Sequence, residues 1–155
     1  MREIKKVILH CTATEADKEL SVAEIRRWHV EGNGWSDIGY HFVIHQDGTV
    51  ERGRHIAKVG AHTKGQNVDS IGIAYCGGVV KVKKKSLDKD KPKTKTEYKP
   101  KDTMTKAQEQ SFRDLVGFLE LCFGELKVRG HNDFTTKKAC PSFKMRDKFG
   151  DLVNR

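Results

Sequence analysis

Short apolar stretches along the chain predict two strands near the centre of a sheet. Residues 7–9 (Val-Ile-Leu) form a continuous apolar run, typical of a strand covered on both faces, and His10 follows at its carboxyl end. Residues 70–75 alternate bulky side chains with Gly72 and Ala74. This alternation favours a strand whose second face is closely approached by a helix.

A hairpin is predicted over residues 40–52, where Asp47-Gly48 separates two strand-like stretches. Asp-Gly supplies the positive φ angles that a tight two-residue turn requires. His41 and His45 would lie about 13 Å apart on such a strand, too far to share one metal ion. Alternation predicts one face formed by Tyr40, Phe42 and Ile44 and the other by His41, Val43 and His45.

Two capping-box motifs predict the starts of two helices. Ser21 and Glu24 begin the first, which the residues 32–34 (Gly-Asn-Gly) should end, and Thr105 and Gln108 begin the second. The second helix carries an apolar stripe and is followed by Gly124, which should end it. The stripe consists of Phe112, Leu115, Val116, Leu119 and Phe123.

The last part of the chain predicts a short edge strand over residues 126–128, which would deliver His131, and a final helix capped by Ser142. That helix would carry Phe143, Phe149 and Leu152. Taken in order, the elements predict a mixed α/β fold, a single domain over residues 1–155 with a central mixed β-sheet flanked by about three helices.

The formal net charge of +9 is concentrated in one segment. Residues 81–101 contain ten lysines and three acidic residues, a balance of +7 that leaves +2 for the rest of the chain. We expect a lysine-rich flexible insertion at about 80–103, an exposed loop rather than a folded face. Its simplest role is to be solvated, and a tether to anionic polymers such as wall phosphates or nucleic acid is the alternative.

The start of the chain has no charged leader followed by a long apolar stretch, and no apolar run approaches the ~18 residues of a membrane span. We expect synthesis in the cytoplasm without a signal peptide and no membrane partner. The four cysteines fall within strand and helix patterns, which favours reduced thiols. Three of them, Cys11, Cys76 and Cys122, have the pattern of small buried residues.

Three donors far apart in sequence, His10, His131 and Cys140, suggest a zinc site. His10 and Cys11 are adjacent on a strand and point to opposite faces, and we assign His10 to the crevice. The polar residues between His131 and Cys140 allow both side chains to fold back toward one point. Three protein ligands leave the fourth position of zinc to water or substrate, and such an open site implies catalysis.

Six ordered motifs resemble the zinc-dependent N-acetylmuramoyl-L-alanine amidases, above all the phage lysozyme-type amidases, with peptidoglycan recognition proteins as more distant relatives. The resemblance covers nearly the whole chain outside the lysine-rich segment. The motifs are HCTAT at 10–14, GYHF at 39–42, DGTV at 47–50, GAHTKGQN at 60–67, SIGI at 70–73 and KACPSF at 138–143.

The resemblance implies hydrolysis of the amide between N-acetylmuramic acid and L-alanine in peptidoglycan, by a monomer with one zinc ion that acts on the cell wall after release or export by another system. It makes His10, His131 and Cys140 the zinc ligands, and Tyr40 and Lys138 the catalytic residues. Lys137 could take the place of Lys138, because the preceding loop is slightly longer than in the nearest relatives. His62 would line the substrate groove, with Thr63 and Asn67 as further substrate-binding candidates.

Plainer interpretations exist for several of these residues. Tyr40 alone could be an aromatic packed at the start of a hairpin, Lys138 could be one of many surface lysines, and His29, His45 and His55 have no assigned role. Two other functions remain open at this point. One is a peptidoglycan-binding module without activity, against which Cys140 argues, and the other is a basic nucleic-acid-binding protein, although no nucleic acid partner is expected.

Overall fold

A computed structural model describes residues 1–85, 90 and 94–155 of the protein. Its larger sheet has five strands in the order β4-β3-β5-β1-β8, and its smaller sheet has three in the order β2-β6-β7. In the larger sheet only β4 runs antiparallel to its neighbour. The strands are β1 Lys6–Cys11, β2 Thr14–Glu15, β3 Phe42–Ile44, β4 Val50–Arg52, β5 Ser70–Tyr75, β6 Gly78–Lys85, β7 Thr94–Pro100 and β8 Lys127–Gly130.

Strands β1 and β5 are the buried pair that the apolar runs predicted. Every residue of β5 is buried, and Val7, Ile8 and Leu9 of β1 have no exposed surface. Alternate side chains of the two strands enter one apolar cluster, among them those of Val7, Leu9, Ile71, Ile73 and Tyr75. The mixed α/β architecture predicted from the sequence is confirmed.

The helices are α1 Val22–Arg27, α2 Lys106–Phe123 and α3 Met145–Val153, with a π-helical turn over Trp28–Gly32 directly after α1. Thr105 and Gln108 form the predicted capping box of α2. Helix α2 buries Phe112, Val116 and Leu119 against one face of the sheet, while Val22 and Ile25 of α1 pack on the other face. The helices therefore cover both faces. None of the helices among the described residues is long and apolar enough to cross a lipid bilayer.

The predicted hairpin exists, but its details differ from the expectation. Five residues, 45–49, rather than two connect the strands. Within this loop the His45 N–H donates to the Thr49 carbonyl over 2.8 Å, and only Gly48 has a positive φ. Strand β3 begins at Phe42 rather than Tyr40. Tyr40 consequently packs with Val43 and α1 instead of sharing a face with Phe42, because the alternation of a strand applies only where the backbone is extended.

The expectation of an unfolded loop at 81–101 is wrong for the residues described there. Strands β6 and β7 pair antiparallel from Val79↔Pro100 to Lys85↔Thr94. Lysines dominate the composition, but valines on β6 and the threonines and tyrosine on β7 favour strands. Those lysine side chains of the segment that the structure describes are exposed, as expected. Pro92 and the other residues at 86–89 and 91–93 lie outside the described residues.

The expected cap of the last helix is also wrong. Helix α3 begins after Lys144, which makes no side-chain capping bond. Ser142 has a φ of +74° and donates its hydroxyl to the carbonyl of Gly78 over 2.7 Å. Ser142 therefore fixes the loop that carries Cys140 to the first residue of β6.

Candidate metal centre

Three separate segments deliver the predicted ligands to one point. His10 is near the carboxyl end of β1, His131 directly follows the neighbouring parallel strand β8, and Cys140 lies in the loop before α3. One ligand atom of each residue lies within 4.8 Å of the others. Two imidazoles and a thiol are donors that Zn²⁺ prefers, and three protein ligands leave one position open. The residues present therefore fit a catalytic zinc ion.

The loop that carries Cys140 is held by hydrogen bonds on both sides. The Cys140 sulfur accepts the Cys11 N–H over 3.1 Å, and the Asn132 amide N–H donates to the Cys140 carbonyl over 2.9 Å. The hydrogen bond with the Cys11 thiol and burial raise the pKa of Cys140 above that of an ordinary thiol. Because zinc binds the thiolate, metal binding must release this proton.

His10 is buried and turns its two ring nitrogens toward different partners. Nδ1 lies 3.7 Å from the Cys140 sulfur, and Nε2 lies 2.9 Å from His62 Nδ1 and 3.2 Å from Thr63 Oγ1. Burial, and then the nearby His62 and His131, lower the pKa of His10 well below its ordinary value. The imidazole is therefore neutral, which is the form that binds metal.

The metal centre lies in an open cleft with a cavity of about 520 Å³. The Tyr40 ring packs against His10 with ring centroids 5.2 Å apart. Lys138 lines the same cleft, whereas Lys137 does not, although both are exposed. All of the predicted site residues except Cys140 line this cavity. The wall of the cavity consists of His10, His29, Trp35, Tyr40, Ala61, His62, Thr63, Lys64, Asn67, His131 and Lys138.

Burial and neighbouring charges shift the pKa values of the ionisable side chains in the cleft. Burial raises the pKa of the Tyr40 phenol, so its hydroxyl is protonated and able to donate a hydrogen bond. Burial lowers the pKa of His131, and the Lys138 ammonium lowers it further. Both side chains line the same cleft.

Four residues of the cleft wall had no role in the sequence prediction: His29, Trp35, Ala61 and Lys64. The π-helical turn places the His29 ring 4.9 Å from Trp35 and 5.5 Å from Tyr40. His29 Nδ1 accepts the Gly39 N–H over 2.9 Å, which fixes the backbone next to Tyr40. An isolated histidine after a short helix carries no sequence signal for this position, and π-helical turns of this kind are frequent at functional sites.

The rings of His41 and His45 have different protein partners. His45 Nε2 pairs with Glu51 over 2.7 Å, and the His41 ring accepts the Gly72 N–H over 3.0 Å. Residues 62–67 are brought together as predicted, since Asn67 Oδ1 accepts the amide N–H groups of both His62 and Thr63. The close approach to Gly72 comes from the His62 ring rather than from a helix, which corrects the expectation for β5.

The fold is mixed α/β, and its three converging donors could hold a metal ion beside a cleft that His10 and His131 line. The family model of N-acetylmuramoyl-L-alanine amidases matches residues 1–143. The chain is 37% identical to the endolysin of Klebsiella phage KP32, over 94% of this chain and 85% of the relative. It is 41% identical to the endolysin of Enterobacteria phage T3, over 90% and 82% of the two chains.

A solved structure has the same fold. The N-acetylmuramoyl-L-alanine amidase LysC from Clostridium intestinale matches with a TM-score of 0.73 and 25% identity, over 97% of this chain and 86% of that one. The chain belongs to the N-acetylmuramoyl-L-alanine amidase family. It is an enzyme that hydrolyses the amide between N-acetylmuramic acid and L-alanine in peptidoglycan.

Proposed function

We propose that the enzyme performs this hydrolysis with one zinc ion bound by His10, His131 and Cys140. The observation that supports the proposal is the convergence of two imidazoles and one thiol, from three separate segments, within 4.8 Å of one another, with both imidazoles on the wall of the cleft. When bound, the ion supplies Lewis acidity that polarises the scissile carbonyl and acidifies a water molecule.

Tyr40 is proposed to orient the attacking water. Its ring lies against the ligand His10, and its protonated phenol can donate a hydrogen bond in the cleft. A raised pKa disfavours the phenolate, so orientation of the water is a better role for Tyr40 than removal of its proton. The ring also shields one side of the metal centre from solvent.

Lys138 is proposed to stabilise the negative charge that forms on the carbonyl oxygen as the carbon becomes tetrahedral. A thiolate ligand donates negative charge to the metal, and a cation at the edge of the cleft compensates for this. Lys138 is favoured over Lys137 because Lys138 lines the cavity and lowers the pKa of His131.

The remaining proposals concern the context of the reaction. The open cleft suits one strand of a polymeric substrate, with Thr63 and Asn67 on its wall beside the metal centre. His62 belongs to the same wall. We propose that the enzyme acts as a monomer on the cell wall, which is where peptidoglycan is found, without membrane or nucleic acid partners.

The test compares the wild type with Cys140→Ala, Lys138→Met and Lys137→Met. Purified peptidoglycan is digested, and new alanine amino groups and new reducing sugar ends are measured separately, together with the metal content of each protein. The wild type should contain one zinc ion and release amino groups only. Cys140→Ala should lose the metal and at least about 10³-fold in rate, because Lewis acidity contributes several kcal/mol.

Lys138→Met should retain zinc but lose roughly 10²-fold in rate, the usual cost of removing one preorganised stabiliser of an oxyanion. Lys137→Met is the matched control and should stay within about twofold of the wild type, as most surface substitutions do. Zinc-free wild type with full activity would overturn the metal proposal. A larger loss in Lys137→Met than in Lys138→Met would reverse the lysine assignment.

A further inference from the structure

We propose that His62 is a positioning residue for the metal ligand His10, held in turn by Ser70, rather than a residue that recognises the substrate. The inference rests on the proposed metal site. It starts from a chain of buried polar groups that runs from the metal centre into the protein along β5.

The first link is the His10 ring. Its Nδ1 faces the Cys140 sulfur, so Nδ1 is the nitrogen that can bind a metal shared with Cys140. A neutral imidazole that binds metal through Nδ1 carries its proton on Nε2. That N–H points to His62 Nδ1 at 2.9 Å and to Thr63 Oγ1 at 3.2 Å. Metal-binding histidines generally donate their second N–H in this way, which fixes the ring.

The second link is the His62 ring. If Nδ1 accepts the proton of His10, the proton of neutral His62 must be on Nε2, which lies 3.3 Å from the hydroxyl oxygen of Ser70. Both nitrogens of His62 therefore have protein partners, and neither needs a substrate group to satisfy it.

The third link is the seat of the ring on β5. Ser70 has no exposed surface. A Cβ added to Gly72 would lie 2.5 Å from two ring atoms of His62, so the ring occupies the space that a side chain at Gly72 would need. Asn67 holds the His62 amide over 3.0 Å. The His62 backbone is thus held by Asn67, the face of its ring lies on Gly72, and its Nε2 lies near Ser70. These contacts give His10 a rigid support.

The test measures zinc affinity of the full-length protein by competition with a chromophoric chelator, and the visible spectrum of the Co²⁺-substituted protein. His62→Leu removes the acceptor, whereas the Oδ1 of His62→Asn can still accept at the place of Nδ1. His62→Leu should bind zinc about 10–100-fold more weakly and change the Co²⁺ spectrum, with His62→Asn closer to the wild type. Ser70→Ala should shift both readouts in the same direction by a smaller factor.

His55→Leu, a substitution of an exposed histidine outside the cleft, is the control and should leave both readouts unchanged. Unchanged zinc affinity and spectrum in His62→Leu, with a raised KM for peptidoglycan, would overturn the proposal in favour of substrate recognition. If the His62 variants fail to fold, Ser70→Ala alone decides by the same two readouts. Wild type that binds no zinc would instead refute the metal site itself, which keeps the two failures distinct.

Discussion

The histidine cluster, formed by His10, His41 and His62, and the lysine hairpin, formed by β6 and β7, are both rich in ionisable groups but differ in every other respect. The three histidines are buried and neutral, and their ring nitrogens lie within hydrogen-bonding distance of named partners. The lysines of β6 are exposed, and one of them forms an ion pair across to Glu97 at 3.0 Å.

The difference between the two regions shows why the number of charged residues in a segment is a poor guide to the position of the active site. An ionisable group in water costs little and specifies little, whereas a buried one must have a partner for each polar atom. The buried cluster therefore constrains its neighbours, including Gly72 and Ser70 on β5. The lysines of the hairpin supply most of the net charge, and they do so from exposed positions.

The largest effect is expected when one methyl group is added at Gly72, beneath the histidine cluster. Gly72→Ala places a Cβ within 2.5 Å of the His62 ring, so the ring or the strand must move. We expect a loss of about 3 kcal/mol in the free energy of unfolding, the upper range for overpacking a core. Denaturant unfolding followed by circular dichroism measures this change.

Gly117→Ala is the matched control, because a Cβ at Gly117 on helix α2 meets no atom within 4 Å. This variant should be more stable by about 0.5–1 kcal/mol, since alanine is the better residue within a helix. Equal effects of the two substitutions would mean that the packing around His62 is not rigid.

A smaller effect is expected from the titration of His41. Burial, and then the cations of Arg2 and Arg54, lower the pKa of His41 to about 4, and its Nδ1 accepts the Gly72 N–H. Protonation therefore favours the unfolded chain, in which the pKa is about 6.5. This contribution to stability is complete above pH 6.5 and is lost as the pH falls toward 4, by about 2–3 kcal/mol.

The measurement compares the pH dependence of unfolding for metal-free wild type and His41→Asn, whose Oδ1 can still accept from Gly72. The slope between pH 6.5 and 4 should be smaller in the variant. His55→Asn, at an exposed position, should keep the slope of the wild type. A wild-type slope in His41→Asn would show that His41 is already charged in the folded protein.

The smallest effect is expected in the lysine hairpin. Lys81, Lys83 and Lys85 alternate along β6 and share one exposed face. Changing all three to Gln should alter the free energy of unfolding by less than about 0.5 kcal/mol, as is usual for exposed charges. Peptidoglycan digestion at physiological salt should stay within about twofold of the wild type. Salt-sensitive binding to DNA that disappears in this variant would revive the nucleic-acid alternative.

Much of the fold could be predicted because its signals are local. Continuous apolar residues identified β1, alternation identified β5, and Thr105 with Gln108 fixed the start of α2. The three donors could be suggested from their chemistry, but the resemblance to a family was needed to assign them as ligands, since His10 lies 121 and 130 residues before His131 and Cys140 and no spacing rule joins them.

Other features depend on contacts between distant segments. Ser142 has the composition of a helix cap, but the carbonyl of Gly78 lies within its reach and gives the hydroxyl a different partner. Tyr40 precedes the strand to which alternation assigned it, because the His41 ring takes the Gly72 N–H at the edge of β3. The lysine hairpin was not predicted, because a lysine-rich segment with few apolar residues is typical of a loop, whereas its strands pair with each other along their length.

By itself the sequence determined which segments are strands and helices, where the charge lies and which side chains can bind zinc, because these properties belong to single residues or to near neighbours. The tertiary structure alone decided which nitrogen of His10 faces Cys140 and what holds the other. Those assignments depend on His62, Ser70 and Gly72 meeting across the sheet at hydrogen-bonding and van der Waals distances, which no spacing along the chain encodes.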